Sequence, residues 1–206
     1  MAINYVIQAE VVDITADTPK DADVFLVDTN VWYWMTYTRL GHAVNPPPQY
    51  TTNYPLYTNA ALSAGARIFH SGLSLAELAH LIEKVEREIY AAANGHIGTK
   101  EYRHNSDGQR LQVVTEIQTA WGQVVSLAEQ LTATINTSMA NAALTRLQTE
   151  KVDGYDLFIL ESMKNHGVEK VITDDGDFAT IPGIQVFTAN RNVIQAAKSQ
   201  SRLVTR

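Results

Sequence analysis

The chain has 206 residues, 45% hydrophobic and 18% charged, which is enough apolar material for one elaborated domain and too much for a disordered chain. It has no cysteine, which excludes disulfide scaffolds, thiolate zinc sites and cysteine nucleophiles and fits a reducing cytosol. Its 16 Lys and Arg against 22 Asp and Glu leave a formal charge of −6, so any grip on nucleic acid works through a local site rather than bulk charge. The opening MAINYVIQAEVVDITAD lacks the basic region of a signal peptide, and no run of about 18 apolar residues offers a membrane span.

In chain order, Asn4 to Ile14 (NYVIQAEVVDI) predicts a strand or strand pair. The short run Val24–Val27 (VFLV) suits a strand buried on both faces of a parallel sheet, and it ends at Asp28. A helix rich in aromatics (Trp32, Tyr33, Trp34, Tyr37) is expected from Thr29. Residues 41–55 hold four of the six prolines and read as a rigid loop. Arg67–His70 reads as a second short strand. Ser74 and Glu77 form a Ser-x-x-Glu capping box opening a helix to about Ala93. Residues 94–108 read as a loop, and Gln109 to Thr134 as a long helix with an apolar stripe. Ala133–Thr137 is expected as a short edge strand. Asp153 to Asn165 reads as a helix stopped by Gly167. Val168–Thr173 and Gly183–Thr188 are further strands, and a basic helix or tail closes the chain. Strands alternating with helices predict an α/β fold, three α/β/α layers around a central parallel sheet.

Two of the predicted strands run directly into acids, VFLV into Asp28 and VIT into Asp174 and Asp175. Ligands of open α/β sheets bind outside the carboxyl ends of the strands. Glu77 and Asp156 lie near the starts of helices that begin at the same rim. Four acids distant in sequence, Asp28, Glu77, Asp156 and Asp175, are therefore expected to converge. Clustered carboxylates repel unless a cation neutralises them, and oxygen-only ligands point to Mg²⁺ or Mn²⁺. Such an ion activates water and stabilises a phosphodiester transition state. Each acid also has an ordinary structural role: Asp28 as an N-cap, Glu77 in the capping box, Asp156 at a helix dipole and Asp174–Asp177 in a turn.

The segments VDTNVW (Val27–Trp32), SLAELAHLIE (Ser74–Glu83), DGYDLFIL (Asp153–Leu160) and VITDDGDF (Val171–Phe178) together resemble the successive motifs of PIN-domain nucleases. The ordered set spans residues 24–188. The resemblance implies a Rossmann-like sheet and Mg²⁺ or Mn²⁺ held by Asp28, Glu77, Asp156 and Asp175, with Asp177 as a frequent fifth acid. Asp174 falls at the variable position, and Asn30 and Thr173 are expected to orient a water or phosphate. The implied activity is hydrolysis of RNA to products with a 5′-phosphate. Implied partners are an antitoxin, since many bacterial members are toxins of toxin–antitoxin pairs, or another protein, and a second copy of the chain through the aromatic helix. The expected organisation is one domain over residues 1–206, with 1–23 an N-terminal extension and 84–150 an enlarged helical segment. Glu77 and Asp156 stand 79 positions apart, more than in compact toxins, which leaves room for a different partner or substrate.

Two other readings stand beside the ribonuclease. A haloacid-dehalogenase-like phosphatase also places an Asp after its first strand, but it uses a second Asp two residues on, where this chain has Asn30. A non-catalytic module would keep the fold and bind RNA or protein. The histidines at 42, 70, 80, 96, 104 and 166 have no metal-ligand spacing. Lys100, Arg103 and Arg110 with Tyr102, and the final Arg191, Lys198, Arg202 and Arg206, are the local basic groups open to phosphate contact. A cytoplasmic protein is expected.

Overall fold

The computed structural model describes residues 3–43 and 48–206. In chain order these form β1 (Glu10–Asp13), β2 (Val24–Val27), α1 (Thr29–Thr36), α2 (Leu40–Ala43), α3 (Pro48–Thr51), α4 (Asn53–Ala64), β3 (Arg67–Ser71), α5 (Ser74–Asn94), α6 (Thr99–Asn105) and α7 (Asp107–Leu127). Then come β4 (Glu129–Leu131), α8 (Thr137–Leu147), α9 (Gly154–His166), β5 (Lys170–Ile172), β6 (Gln185–Thr188), α10 (Arg191–Ser199) and β7 (Leu203–Val204). A single 3₁₀ turn, Phe178–Thr180, lies between β5 and β6.

The strands form one sheet in the order β4-β3-β2-β5-β6-β1-β7. Every pairing is parallel. Successive strand residues face opposite layers. Val11, Leu26, Val171 and Val186 pack with α8, α9 and α10 through Ala143, Leu160, Met163, Val193 and Ala197. Val12, Phe25, Val27, Ile172 and Phe187 pack the other way, against Trp32 of α1, Tyr54 and Tyr57 of α4, Leu78 of α5 and Val124 of α7. A strand covered on both faces must be apolar at every position, which is why VFLV shows no alternation. The fold is the expected α/β/α arrangement.

Several local readings are corrected. Of Asn4–Ile14 only Glu10–Asp13 pairs as a strand. The proline-rich stretch is not simply a loop, because α3 and α4 occupy much of it; Pro48 is the first residue of α3 and Pro55 lies in the first turn of α4, where a missing N–H is harmless. Residues 44–47 fall outside the described residues. The 94–108 loop contains α6, held by buried Tyr102 against Tyr90 and by Arg103 on Glu83 at 2.6 Å. The long helix ends at Leu127, and the edge strand is Glu129–Leu131 rather than 133–137, where Asn136 instead caps α8. Gly167 does end α9, at φ 65°, a left-handed conformation that suits glycine.

The C-terminal segment is folded rather than frayed. It adds α10 and β7, the latter beside β1. Arg206 donates to Asp17 at 2.7 Å and to Asp23 at 2.6 Å, and both carboxylates are buried. Lys170 also meets Asp23, at 2.6 Å. Burial pushes the Asp23 carboxyl up, but hydrogen bonds from Arg206, Lys170 and the Lys20 N–H outweigh it and hold the group well below the usual carboxylate range. Removing Arg206 leaves buried charge unpaired. Arg206→Ala is expected to destabilise the fold by about 3 kcal/mol. A urea midpoint within error of wild type would refute this.

Candidate functional site

Along the sheet the chain runs outward from β2 to β3 to β4 on one side, and from β5 to β6 on the other. The order therefore reverses between β2 and β5, the place where open α/β sheets bind ligands. Asp28 follows β2 and the Asp174–Asp177 turn follows β5, so both stand at that point.

Asp28 caps α1, and its carboxylate accepts three hydrogen bonds. One oxygen accepts from the Thr29 N–H at 2.6 Å. The other accepts from Thr173 Oγ1 at 2.6 Å and Asn30 Nδ2 at 2.7 Å. Thr173 Oγ1 also accepts the Asp175 N–H at 2.9 Å, which joins the two strand ends. Asn30 and Thr173 are thus positioned to orient Asp28. An amide at position 30, already donating to Asp28, offers no acid or base for a phosphatase mechanism.

Glu77 does not close a capping box with Ser74. The residue preceding α5 is Leu73, without a side-chain cap, and Glu77 instead accepts from Thr29 Oγ1 at 2.6 Å. The residue that looked like a local cap is drawn into the site by a contact across 48 positions.

Asp153 caps α9, accepting the Tyr155 N–H at 3.0 Å and the Asp156 N–H at 3.3 Å. That places its carboxylate beside Asp156. Carboxylate oxygens of Glu77, Asp153 and Asp156 all lie within 4.8 Å of one another. Asp153 thus joins the acids that the sequence motifs point to, and its place three residues before Asp156 at a helix start is the local signal for it. The open cavity around these groups is about 470 Å³ and is lined by Asp28, Thr29, Asn30, Glu77, His80, Asp153, Tyr155, Asp156 and Asp175, among others. His80 and Tyr155 are also additions. His80 lies one helical turn beyond Glu77 and so shares its face.

The electrostatics are those of an uncompensated cluster. Burial, and then the charges of Asp28, Asp153, Asp175 and Glu77, push the Asp156 carboxyl strongly up. Burial also raises Asp28, with Glu77 and Asp175 adding to it against the hydrogen bond from Thr173. Glu77 and Asp175 are raised chiefly by burial as well. A divalent cation fits this donor set of oxygens, because it removes the repulsion the residues create.

The other acids of the β5 turn separate. Asp177 donates its N–H to Asp175 at 2.9 Å but lines a neighbouring groove rather than the main cavity. Asp174 turns away and accepts from Tyr54 at 2.6 Å. His70 is buried on β3, its ring edge-on to Trp121 at 5.0 Å, and is no part of the cavity. Arg103 and Arg110 are paired with Glu83, at 2.6 and 3.7 Å. Among the aromatics of α1, Trp32 is wholly core, Tyr33 stacks on Tyr37, and Trp34 stacks on Tyr50.

The family model described as "PIN domain" matches residues 25–184. No curated protein matches the chain. Among solved structures, the chain is similar to the crystal structure of VapBC2 from Rickettsia felis bound to a DNA fragment from their promoter, at 16% identity and a TM-score of 0.46, with 80% of this chain and 98% of that one covered.

Proposed function

The chain belongs to the PIN-domain family, and from that premise we propose that it is a metal-dependent nuclease hydrolysing RNA phosphodiester bonds. The observation that carries the reading is the mutually repelling set Asp28, Glu77, Asp153, Asp156 and Asp175 around one cavity at the reversal of strand order, with Asp28 and Asp156 buried. Mg²⁺ or Mn²⁺ is the proposed cofactor, held by Asp28, Glu77, Asp156 and Asp175 with Asp153, and supported by Asp177. When bound, the ion supplies activation of a water and neutralisation of charge on the phosphodiester.

The chain's own residues do the positioning. Thr29, Asn30 and Thr173 lock the Asp28 carboxylate in one orientation, so it needs no reorganisation during the reaction. Thr29 does the same for Glu77. His80 and Tyr155, both exposed at the mouth, are placed to meet the substrate rather than the acids' interior. An antitoxin or other protein partner, a homodimer, and a cytoplasmic location belong to the same reading, and light scattering of the purified chain checks the dimer. No helix among the described residues is long and apolar enough to cross a membrane.

The test is cleavage of a mixed single-stranded and structured RNA in Mn²⁺, in EDTA, and by Asp28→Asn. Cutting is expected in Mn²⁺ only, and it is expected to vanish in the variant. Folded protein that cuts no RNA in any metal would move the reading to a binding module, and release of phosphate from a chromogenic monoester would move it to a phosphatase.

A further inference from the structure

Residues 3–9 lie outside the matched family region and form a strap along the acidic turn. The Gln8 and Ala9 N–H groups both donate to the Ala179 carbonyl, at 3.0 and 3.1 Å. Gln200, the residue that follows α10, also grips the strap. Its Oε1 accepts the Ile7 N–H and its Nε2 donates to the Tyr5 carbonyl, each at 2.9 Å. The strap is thus pinned at four residues, Tyr5, Ile7, Gln8 and Ala9.

This pinning lays the Tyr5 ring directly on Gly176, between Asp175 and Asp177. A Cβ at Gly176 would stand 2.3 Å from Tyr5 Cζ, so only glycine admits the ring. The ring is half-buried. Burial, and then the charges of Asp177, Asp175 and Asp174, raise its hydroxyl further, so it remains a proton donor. Beside it runs a groove of about 180 Å³, with Asn4, Tyr5, Thr149, Lys151, Asp177 and Thr180 among its walls. Lys151 is exposed, and among the described residues it makes no ion pair. It stands two residues before Asp153 of the main cavity, and Asp177 stands two after Asp175. The Asp177 N–H donates to Asp175 at 2.9 Å, so the groove neighbours the acid site across the Asp175–Asp177 turn.

We propose that this groove receives the nucleotide flanking the cleaved bond of a single-stranded RNA, with Lys151 on its phosphate and Tyr5 against its base. An aromatic face beside an unpaired cation is the pairing that single-stranded nucleic acid selects, and stacking tolerates any base. Asp177, the groove residue hydrogen-bonded to Asp175, keeps this phosphate toward Lys151 rather than toward the acids. Tyr5 and Lys151 are binding residues here, and the assignment rests on the ribonuclease reading.

The test uses the full chain with a fluorescent single-stranded RNA, both in Mn²⁺-dependent cleavage and in anisotropy binding by the Asp28→Asn variant. Lys151→Gln is expected to raise KM about tenfold with little change in kcat, and to lower the slope of log affinity against log salt by about 0.7, the value of one lost phosphate contact on a single strand. Tyr5→Ala is expected to weaken binding about tenfold without changing that slope, while Tyr5→Phe stays within about twofold because the ring is kept. Gly176→Ala, which displaces the ring, should match Tyr5→Ala. Lys151 is exposed, so its variant reports without a folding ambiguity. If the wild type cleaves RNA and Lys151→Gln leaves both KM and salt slope unchanged, the groove assignment is wrong and the ribonuclease reading stands. If the wild type neither binds nor cleaves RNA, the ribonuclease reading fails first and the groove assignment falls with it.

Discussion

Asp156→Asn is expected to cut RNA about a thousandfold more slowly than the wild type, the equivalent of roughly 4 kcal/mol of transition-state stabilisation, while melting higher in metal-free buffer. The two effects have one cause. Asp156 is 5% exposed, and among the described residues its carboxylate accepts no hydrogen bond. It is buried against Asp28, Asp153, Asp175 and Glu77, an arrangement that disfavours its charge. An amide of the same shape removes that conflict and removes the metal ligand together. A gain of about 1 kcal/mol, or roughly 2–4 °C for a chain of this size, is the expected stability change. The paired measurement is a thermal melt in EDTA beside a cleavage rate in Mn²⁺. A variant that loses activity and stability together would indicate that the carboxylate is structural.

The metal-free protein should become less stable as pH rises, in a direction opposite to ordinary acid denaturation. Asp28, Glu77, Asp156 and Asp175 all have carboxyls raised in the folded state. Above the ordinary aspartate value of 3.8, the unfolded chain has released protons that the folded chain still holds. Stability contributed by such groups is fully present below that value and is lost as pH climbs through the raised ones. Asp17 and Asp23, held low by Arg206, act in the opposite sense. Their contribution is present above 3.8 and is lost only as pH falls below it, so the two windows are separate. Mn²⁺ should reverse the high-pH loss, because it binds the ionised cluster and so stabilises the folded state. Melting temperature is to be followed from pH 4 upward, in EDTA and in Mn²⁺ (about 4 is the ordinary carboxylate range). A metal-free melting temperature that is flat or rising across that range would sink the idea that these acids are desolvated and repelling.

Local chemistry made part of this site legible before any coordinates. VFLV followed by Asp28, and VIT followed by Asp174 and Asp175, carry their own geometry, because a run of apolar residues ending in an acid puts that acid at a strand's carboxyl end. Gly167 marked the end of α9 for a similar reason, since its left-handed backbone is a local demand. Signals of this kind need only neighbours in the chain.

Where the sequence misled, two or more explanations shared one local pattern. Ser74 and Glu77 match a capping box as well as a site, and only the Thr29 hydroxyl, 48 positions away, decides between them. Asp153 opens a helix like any N-cap, and only the approach of Glu77 makes it part of an acid cluster. Residues 99–105 lack a strong helical pattern and are helical because Glu83 and Tyr90 of α5 hold Arg103 and Tyr102.

By itself, then, the sequence determined the parallel sheet, its two apolar faces and the four acids at the strand and helix ends, because side-chain period and strand termini are properties of consecutive residues. The tertiary structure alone decided which acids share a cavity and which turn away, as Asp174 does toward Tyr54. It alone decided that Arg206 closes over Asp17 and Asp23, and that Tyr5 rests on Gly176. The contacts of Asp174, Arg206 and Tyr5 each join residues more than a hundred positions apart, and a contact of that kind depends on the packing of every element between them.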